Sequence, residues 1–475
     1  MVPADAPAEI LERIASIRAR QMLHAPAVAA TGARERQQKL LQLEQAILAR
    51  RQAIRDAVWA DFRKPESEAD ISEILATLSE ARHTRRHLAA WMRPRRAPAT
   101  LAFFGSRAWI VPEPRGRVLI ISPWNFPLML SLGPLVSAVA AGNCVVLKPS
   151  ELTPATAKLI REIVGEVFIE DEVAVIEGDA RVSGALLSEP WNHIFFTGST
   201  AVGRVVMRAA AEHLCPVTLE LGGKSPAIVE AATDLDEAAK KIVWGKLSNG
   251  GQQCIAPDYV LVEKAAEATL IEKLQKEIAH RYAPESGGGA PIASIIDERH
   301  FRRISALIDD AVADGAEIVT TGERDARLRH LPPTVLRNVS STSSIMMEEI
   351  FGPVLPVLTW EKLDDAIRFV NDRQPPLALY VFSRNERVVD AVLRGTRAGT
   401  TAINDVVIHF SHPNLPFGGF MESGFGRGHG KEGFETFSNL RSVLEQPRPF
   451  GPMALFYPPY TPSVRKLIDF ALRWL

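Results

Sequence analysis

Cys254, in the segment SNGGQQCIAPDYVLV, and Glu220, in VTLELGGKSPAIV, are a thiol and a carboxylate, each beside a glycine-rich turn. A thiol is a good nucleophile toward carbonyl carbon because part of it is thiolate even near neutral pH. A carboxylate in such a turn can act on water. The pair reads as a candidate nucleophile and a candidate general base.

Four further segments carry polar groups on stiff or glycine-flanked turns. FFTGSTAVG at 195–203 runs from an apolar strand into Gly198, Ser199, Thr200 and Gly203. It reads either as a diphosphate-binding turn at a helix N-terminus or as a plain strand-to-helix turn. SPWNFP at 122–127 fixes Trp124 and Asn125 between prolines, so Asn125 is either an oxyanion donor or a turn residue. In LKPSE at 147–151, Lys148 and Glu151 offer a donor and an acceptor to sugar hydroxyls, or simply end a strand in solvent. MEEIFGPV at 347–354 sets Glu349 and Phe351 before a Gly-Pro turn, as a carboxylate and ring for a ribose or as an ordinary loop.

The elements around these segments alternate. Residues 1–95 have helical texture, with Ile10, Leu11, Ile14 and Ile17 and then Leu40, Leu41, Leu43, Ile47 and Ile54 recurring at helical spacing. From Gly116, RVLIIS, CVVLKPS, VAVIEG and HIFFTGS are short apolar runs suited to parallel strands, with helices predicted at 154–168 and 200–213. After 221, KSPAIV, YVLVEK, EIVTTG and VLPVLTW read as strands and 234–247, 266–281, 298–314 and 363–372 as helices. Two doubly wound α/β regions follow from this. The basic run at 80–96 (Arg82, Arg85, Arg86, Arg93, Arg95 and Arg96) reads as a phosphate patch or as the solvated face of a helix ending near Pro94, the second being the expectation.

Composition narrows the function class. The 55 Lys and Arg nearly balance the 56 Asp and Glu, which argues against a polyanion binder and for small-molecule chemistry, with no nucleic acid partner. Three cysteines cannot build a disulfide framework and nothing at the N-terminus reads as a signal segment, so a reducing, cytoplasmic setting is expected. No apolar run approaches the roughly 20 residues of a membrane span. No metal site is expected.

Taken in order, SPWNFP, LKPSE, FTGSTAVG, LELGGKSP, GQQC, EEIFGPV and LPFGG resemble the aldehyde dehydrogenase superfamily over about residues 30–460. The short N-terminus, INDVVIHF, HPNLPFGGF, HGKEGFETFS and YPPYT resemble its class 3 branch, which includes fatty, aromatic and coniferyl-type enzymes. The resemblance implies two doubly wound domains plus a small β oligomerisation arm. Residues 1–95 and 117–220 would form the NAD(P)-binding domain, 221–410 the catalytic domain, 96–116 and 411–445 the arm, and 446–475 a tail. It implies Cys254 as catalytic thiol, Glu220 as base and Asn125 as oxyanion donor beside the Cys254 N–H. Trp124, Lys148, Glu151, Gly198, Ser199, Gly203, Glu349 and Phe351 would face an NAD or NADP cofactor. Cys144 and Cys215 match no catalytic position.

The reaction so implied is thiohemiacetal formation, hydride transfer and Glu-assisted thioester hydrolysis. The aldehyde is expected to be medium- or long-chain aliphatic or aromatic. Gln253, where class 3 relatives often carry a small residue, is expected to shape the substrate tunnel. Alternatives are a CoA-acylating relative, disfavoured by Glu220, and an inactive binding or structural protein, disfavoured by Cys254, Glu220 and Asn125 together. A papain-like thiol hydrolase would leave the cofactor segments unexplained. A homodimer is expected. The tail, with Leu467, Ile468, Phe470, Leu472 and Trp474 among Arg465, Lys466 and Arg473, would pack on that dimer or make weak contact with a membrane, the first being the expectation.

Overall fold

In the computed structural model, residues 6–98, 100, 103–282, 291–320, 322–446 and 451–474 are described. The apolar runs after Gly116 are strands covered on both faces. Arg117–Ile121, Cys144–Lys148, Val173–Val175, His193–Gly198 and Val217–Leu221 form a parallel sheet. Gly424–Phe425 adds antiparallel to its Val217–Leu221 edge. Side chains alternate as strand geometry requires. Val118 and Ile120 join Leu40, Leu43, Leu78 and Leu132 from helices Ala33–Ala49, Ala76–Trp91 and Met129–Ala141. Leu119 and Ile121 face Ile14 and Ile17 of helix Ala8–Ala29 on the other side.

The order in this sheet runs Gly424–Phe425, Val217–Leu221, His193–Gly198, Arg117–Ile121, Cys144–Lys148, Val173–Val175. The order in which strands are added reverses between Arg117–Ile121 and His193–Gly198, which pair in parallel, and open α/β sheets bind ligands at the carboxyl ends flanking such a switch. SPWNFP and the Gly198 turn sit at those two ends.

The second sheet has seven strands, ordered Glu317–Ile318, Thr334–Arg337, Val354–Trp360, Tyr259–Glu263, Pro226–Val229, Ala378–Phe382, Thr400–Ile403. All pair in parallel except Glu317–Ile318. The chain enters it through Gly222–Ser225. Cys254 and Glu349 precede Tyr259–Glu263 and Val354–Trp360, so this sheet offers its amino ends where the first offers its carboxyl ends. A three-stranded antiparallel sheet, Arg95–Arg96, Arg107–Pro114 and Ser438–Glu445, stands apart from both.

The expected helices appear as Pro154–Val167, Thr200–Ala211, Leu235–Leu247, Glu267–Tyr282, Glu298–Ala313 and Leu363–Asn371. EIVTTG is shorter than expected, because only Glu317–Ile318 pairs, on an exposed edge. Arg82, Arg85 and Arg86 of the basic run lie on helix Ala76–Trp91, where Arg85 and Arg82 pair with Glu44 at 2.6 and 3.5 Å, while Arg93 follows the helix and Arg95–Arg96 form a strand. That is the solvated helix face, with Arg86 exposed.

One buried ion pair positions the SPWNFP turn. Lys64 and Glu73 are fully buried, with Nζ 2.7 Å from Oε1. Glu73 sits in a π turn, Asp70–Leu75, and its Oε2 accepts the N–H groups of Leu128 and Met129 at 3.1 and 3.0 Å. Those are donors left free at the start of helix Met129–Ala141. Glu73→Ala leaves a buried ammonium and two amides without partners, so it should lower stability by about 3–5 kcal/mol. Urea unfolding checks this, and a loss under about 1 kcal/mol would count against the pair's role.

Candidate active site

At the carboxyl ends of the first sheet the backbone is packed too tightly for side chains. A Cβ on Gly198 would lie 2.5 Å from the Phe196 ring, and one on Gly203 2.8 Å from Leu221. Gly203 thus lets helix Thr200–Ala211 sit close against the sheet. Ser199 caps that helix, its Oγ accepting from Val202 N at 3.4 Å, and the helix start presents N–H donors suited to a diphosphate. Lys148 ends its strand buried, with Nζ 2.7 Å from Glu151 Oε2.

The loop bearing Cys254 follows helix Leu235–Leu247. Asn249, Gly250 and Gly251 have φ of 56°, 63° and 74°. A Cβ on Gly251 would meet Gly352 O at 2.2 Å and one on Gly250 would meet Ala293 O at 2.7 Å, so glycine is required twice over. Side chains then lock the loop. Glu68 Oε2 accepts Asn249 N–H at 2.8 Å, and Asn249 Nδ2 donates to Asn125 O at 2.9 Å and Gln252 O at 3.1 Å. Gln252 ties in Ser294 O and Ile296 N at 3.1 and 2.9 Å. Gln253 does not reach the substrate space; it turns back, Nε2 donating to Ser248 O at 2.8 Å. Its amide finds a partner within its own loop, which overturns the tunnel-shaping expectation.

Asn125 is buried, and one N–H of its amide goes to Gln252 O, 3.1 Å away, two residues before Cys254. Trp124 meets Phe351 edge-on at 5.3 Å, joining SPWNFP to EEIFGPV. Glu349 leans over the Gly222–Gly223 turn, where a Cβ on Gly222 would strike its carboxylate, and its Oε1 is buried without a partner. The loop carrying it is held by groups that sequence reading missed. Lys224 Nζ donates to Asp258 Oδ2 and Ile345 O, each at 2.6 Å, and Asp258 accepts Ile350 N–H at 3.2 Å. A lysine directly after Gly-Gly was the available signal.

Cys254 and Glu220 line one cavity of about 600 Å³, with Phe195, Phe410, Phe417 and Phe437 among its walls. Both Glu220 oxygens are buried without partners among the described residues, and burial holds its carboxyl well above the usual carboxylate range against the opposing charge of Arg427. Burial, then the charges of Glu349 and Glu220, push the Cys254 thiol up to about 12, opposed by the main-chain N–H groups of Cys254 and Ile255. Cys144 and Cys215 are buried free thiols. Among the described residues no group of three or more His, Cys, Asp or Glu side chains could hold a metal.

The aldehyde dehydrogenase family profile matches residues 3–443. The chain belongs to the aldehyde dehydrogenase family. It is 42% identical over 411 residues to mouse aldehyde dehydrogenase family 3 member A2, covering 86% of this chain and 84% of that protein. Over 437 residues it is 42% identical to a probable coniferyl aldehyde dehydrogenase of Pseudomonas aeruginosa, covering 92% and 91%. The substrate-bound structure of Staphylococcus aureus AldH superposes with a TM-score of 0.92 at 37% identity, over 96% of this chain and 99% of that one. An NAD-dependent aldehyde dehydrogenase of Sinorhizobium meliloti superposes with a TM-score of 0.82 at 31% identity, over 92% and 88%.

This aldehyde dehydrogenase is therefore an NAD(P)-dependent oxidoreductase of aldehydes, on the two-sheet α/β fold the family uses. The glycine cradle at Gly198 and Gly203, the capped helix and the orphaned Glu349 oxygen fit such a cofactor. The resting thiol should titrate above its ordinary value, so iodoacetamide labelling of Cys254 in the cofactor-free protein should still be rising at pH 9. Glu349→Gln removes a neighbouring negative charge and should move that profile to lower pH. A labelling rate that levels off below pH 8.5 in the wild type would contradict the electrostatics.

Proposed function

We propose that Cys254 attacks the aldehyde carbon, that Asn125 and the Cys254 N–H hold the resulting oxyanion, and that Glu220 activates the water that releases the acid. The observation that carries this reading is that Glu220 shares one cavity with Cys254 and has neither oxygen engaged. An orphaned buried carboxylate is costly, and a proton from the thiol or from water relieves that cost. Donors aimed at a developing oxyanion are often worth about 3–4 kcal/mol of barrier each. Bound NAD(P) would supply the oxidising capacity as an acceptor of hydride, two electrons and one proton, from the former aldehyde carbon. Water then adds to the thioester while Glu220 takes its proton, and the tetrahedral species expels the Cys254 sulfur.

Lys148, Glu151, Gly198, Ser199, Gly203, Trp124, Glu349 and Phe351 would hold the cofactor. Lys148 offsets part of the Glu151 charge that would repel a 2′-phosphate, which supports use of either NAD or NADP. The aromatic walls of the cavity support a medium- or long-chain aliphatic or an aromatic aldehyde as substrate. The three sheets support the division into cofactor-binding, catalytic and arm regions, although Gly424–Phe425, within the stretch read as arm, joins the first sheet and Arg95, read as the end of the cofactor-binding region, joins the arm sheet.

For assembly we propose a homodimer through the antiparallel arm. Strand Ser438–Glu445 pairs on one side only and exposes Leu440 and Leu444. No described helix is long and apolar enough to cross a membrane. Helix Pro462–Trp474 exposes Phe470 and Leu472, and its few basic residues support packing on the second copy over lipid, in a cytoplasmic enzyme. Deleting 463–475 should lower the melting temperature or change substrate preference; liposome co-sedimentation that disappears on truncation would decide for lipid.

Cys254→Ser should abolish aldehyde oxidation and spare cofactor binding, measured by turnover and titration on one preparation. Glu220→Gln should still give one burst of reduced cofactor per site and then stall, because acylation proceeds and hydrolysis does not. Steady turnover within about tenfold of wild type for either variant would sink its assigned role.

A further inference from the structure

Two polar groups in the cavity walls have no part in the chemistry above. Glu80, on helix Ala76–Trp91, and His429, at the start of helix Gly430–Thr436, both line the space that holds Cys254 and Glu220. Glu80 Oε1 accepts Gly430 N–H at 2.9 Å and the Thr84 hydroxyl at 3.2 Å. The Ser137 hydroxyl, in the same cavity wall, is a further partner of its carboxyl. His429 is wedged between Phe417, stacked at 5.9 Å, and Phe410, edge-on at 5.3 Å, and its Nε2 is buried without a partner. A buried polar atom such as His429 Nε2 costs free energy unless a ligand or ordered water completes it.

We propose that Glu80 and His429 form a hydroxyl-recognition subsite, so that the preferred aldehydes carry a hydroxyl group at a distance from the reacting carbon. This rests on the reading that the cavity holds the aldehyde. A hydroxyl both donates and accepts, and so meets a carboxyl oxygen and an imidazole nitrogen at once. A carboxylate on the substrate would face the acidic groups Glu80 and Glu220. An ammonium would face Arg82, Arg86 and His83, which line the same cavity. The neutral, bifunctional group fits best. Burial supports this, pushing Glu80 up to about 7 and His429 down to about 4, so that near neutral pH the imidazole is uncharged and the carboxyl can serve as donor or acceptor.

The test uses matched pairs: 4-hydroxybenzaldehyde against benzaldehyde and 6-hydroxyhexanal against hexanal, as kcat/KM on the full chain. The wild type should favour the hydroxylated member of at least one pair by about tenfold or more. Glu80→Leu and His429→Phe should bring that ratio to within about twofold of one. Glu80→Gln keeps an acceptor for Gly430 N–H and should retain part of the preference, which separates recognition from a merely structural effect. A wild-type ratio near one for both pairs, or a ratio unmoved by Glu80→Leu in a folded protein, overturns the proposal. Calorimetric binding of p-cresol against p-xylene reads the subsite without turnover. Discrimination there with no oxidation of any aldehyde would sink the mechanism and keep the subsite; oxidation of hexanal without discrimination would do the reverse.

Discussion

Desolvation of the ionisable groups around one thiol governs this site. Glu220 is buried and Cys254 and Glu349 are partly buried, and desolvation is the largest influence on each, driving all three toward their neutral forms. Their mutual repulsion works in the same direction, since an ionised Glu349 or Glu220 raises the cost of the thiolate. The resting centre therefore stores little charge. A positive group brought close, or a proton handed from sulfur to carboxylate, changes that balance more than it would in water, because the local dielectric is low.

Close backbone packing and buried charged side chains together hold such a centre. The left-handed turn at Asn249–Gly251 does this by bringing its main chain against Gly352 and Ala293, closer than any Cβ permits. The segment 64–73 braces both sides of the site. Glu68 holds the Cys254 loop through Asn249 N–H, while Glu73 with Lys64 fixes the helix that follows Asn125. One short stretch of chain thus couples the two sheets whose opposed ends make the cleft.

Much of this architecture was legible because the informative residues sit at strand ends. Gly198, Lys148 and Asn125 each follow an apolar run, where alternation stops and turn chemistry begins. What the sequence hid lies elsewhere. Glu80 is one acidic residue on a helical face that reads as ordinary surface, and its place in the cavity depends on Gly430, 350 positions away along the chain. The Lys224–Asp258 pair is likewise a contact between segments that local pattern cannot join. Thr334–Arg337 and Thr400–Ile403 are strands of only four residues, too short for a period to show. Gln253 misled because its position beside the nucleophile suggested exposure to substrate, whereas an amide in a tight loop can be satisfied by the loop itself.

The cavity faces a conflict between dryness and hydrolysis. Aromatic walls favour the apolar part of a substrate and strengthen the electrostatics at sulfur, yet the proposed thioester release needs water beside Glu220. A site holds water when it offers room and two or more polar partners. The aromatic rings of Phe195 and Phe437 offer none, but the two unengaged oxygens of Glu220 do, and they lie in the same space as Cys254. On the proposed mechanism, water is thus favoured beside the carboxylate that would activate it.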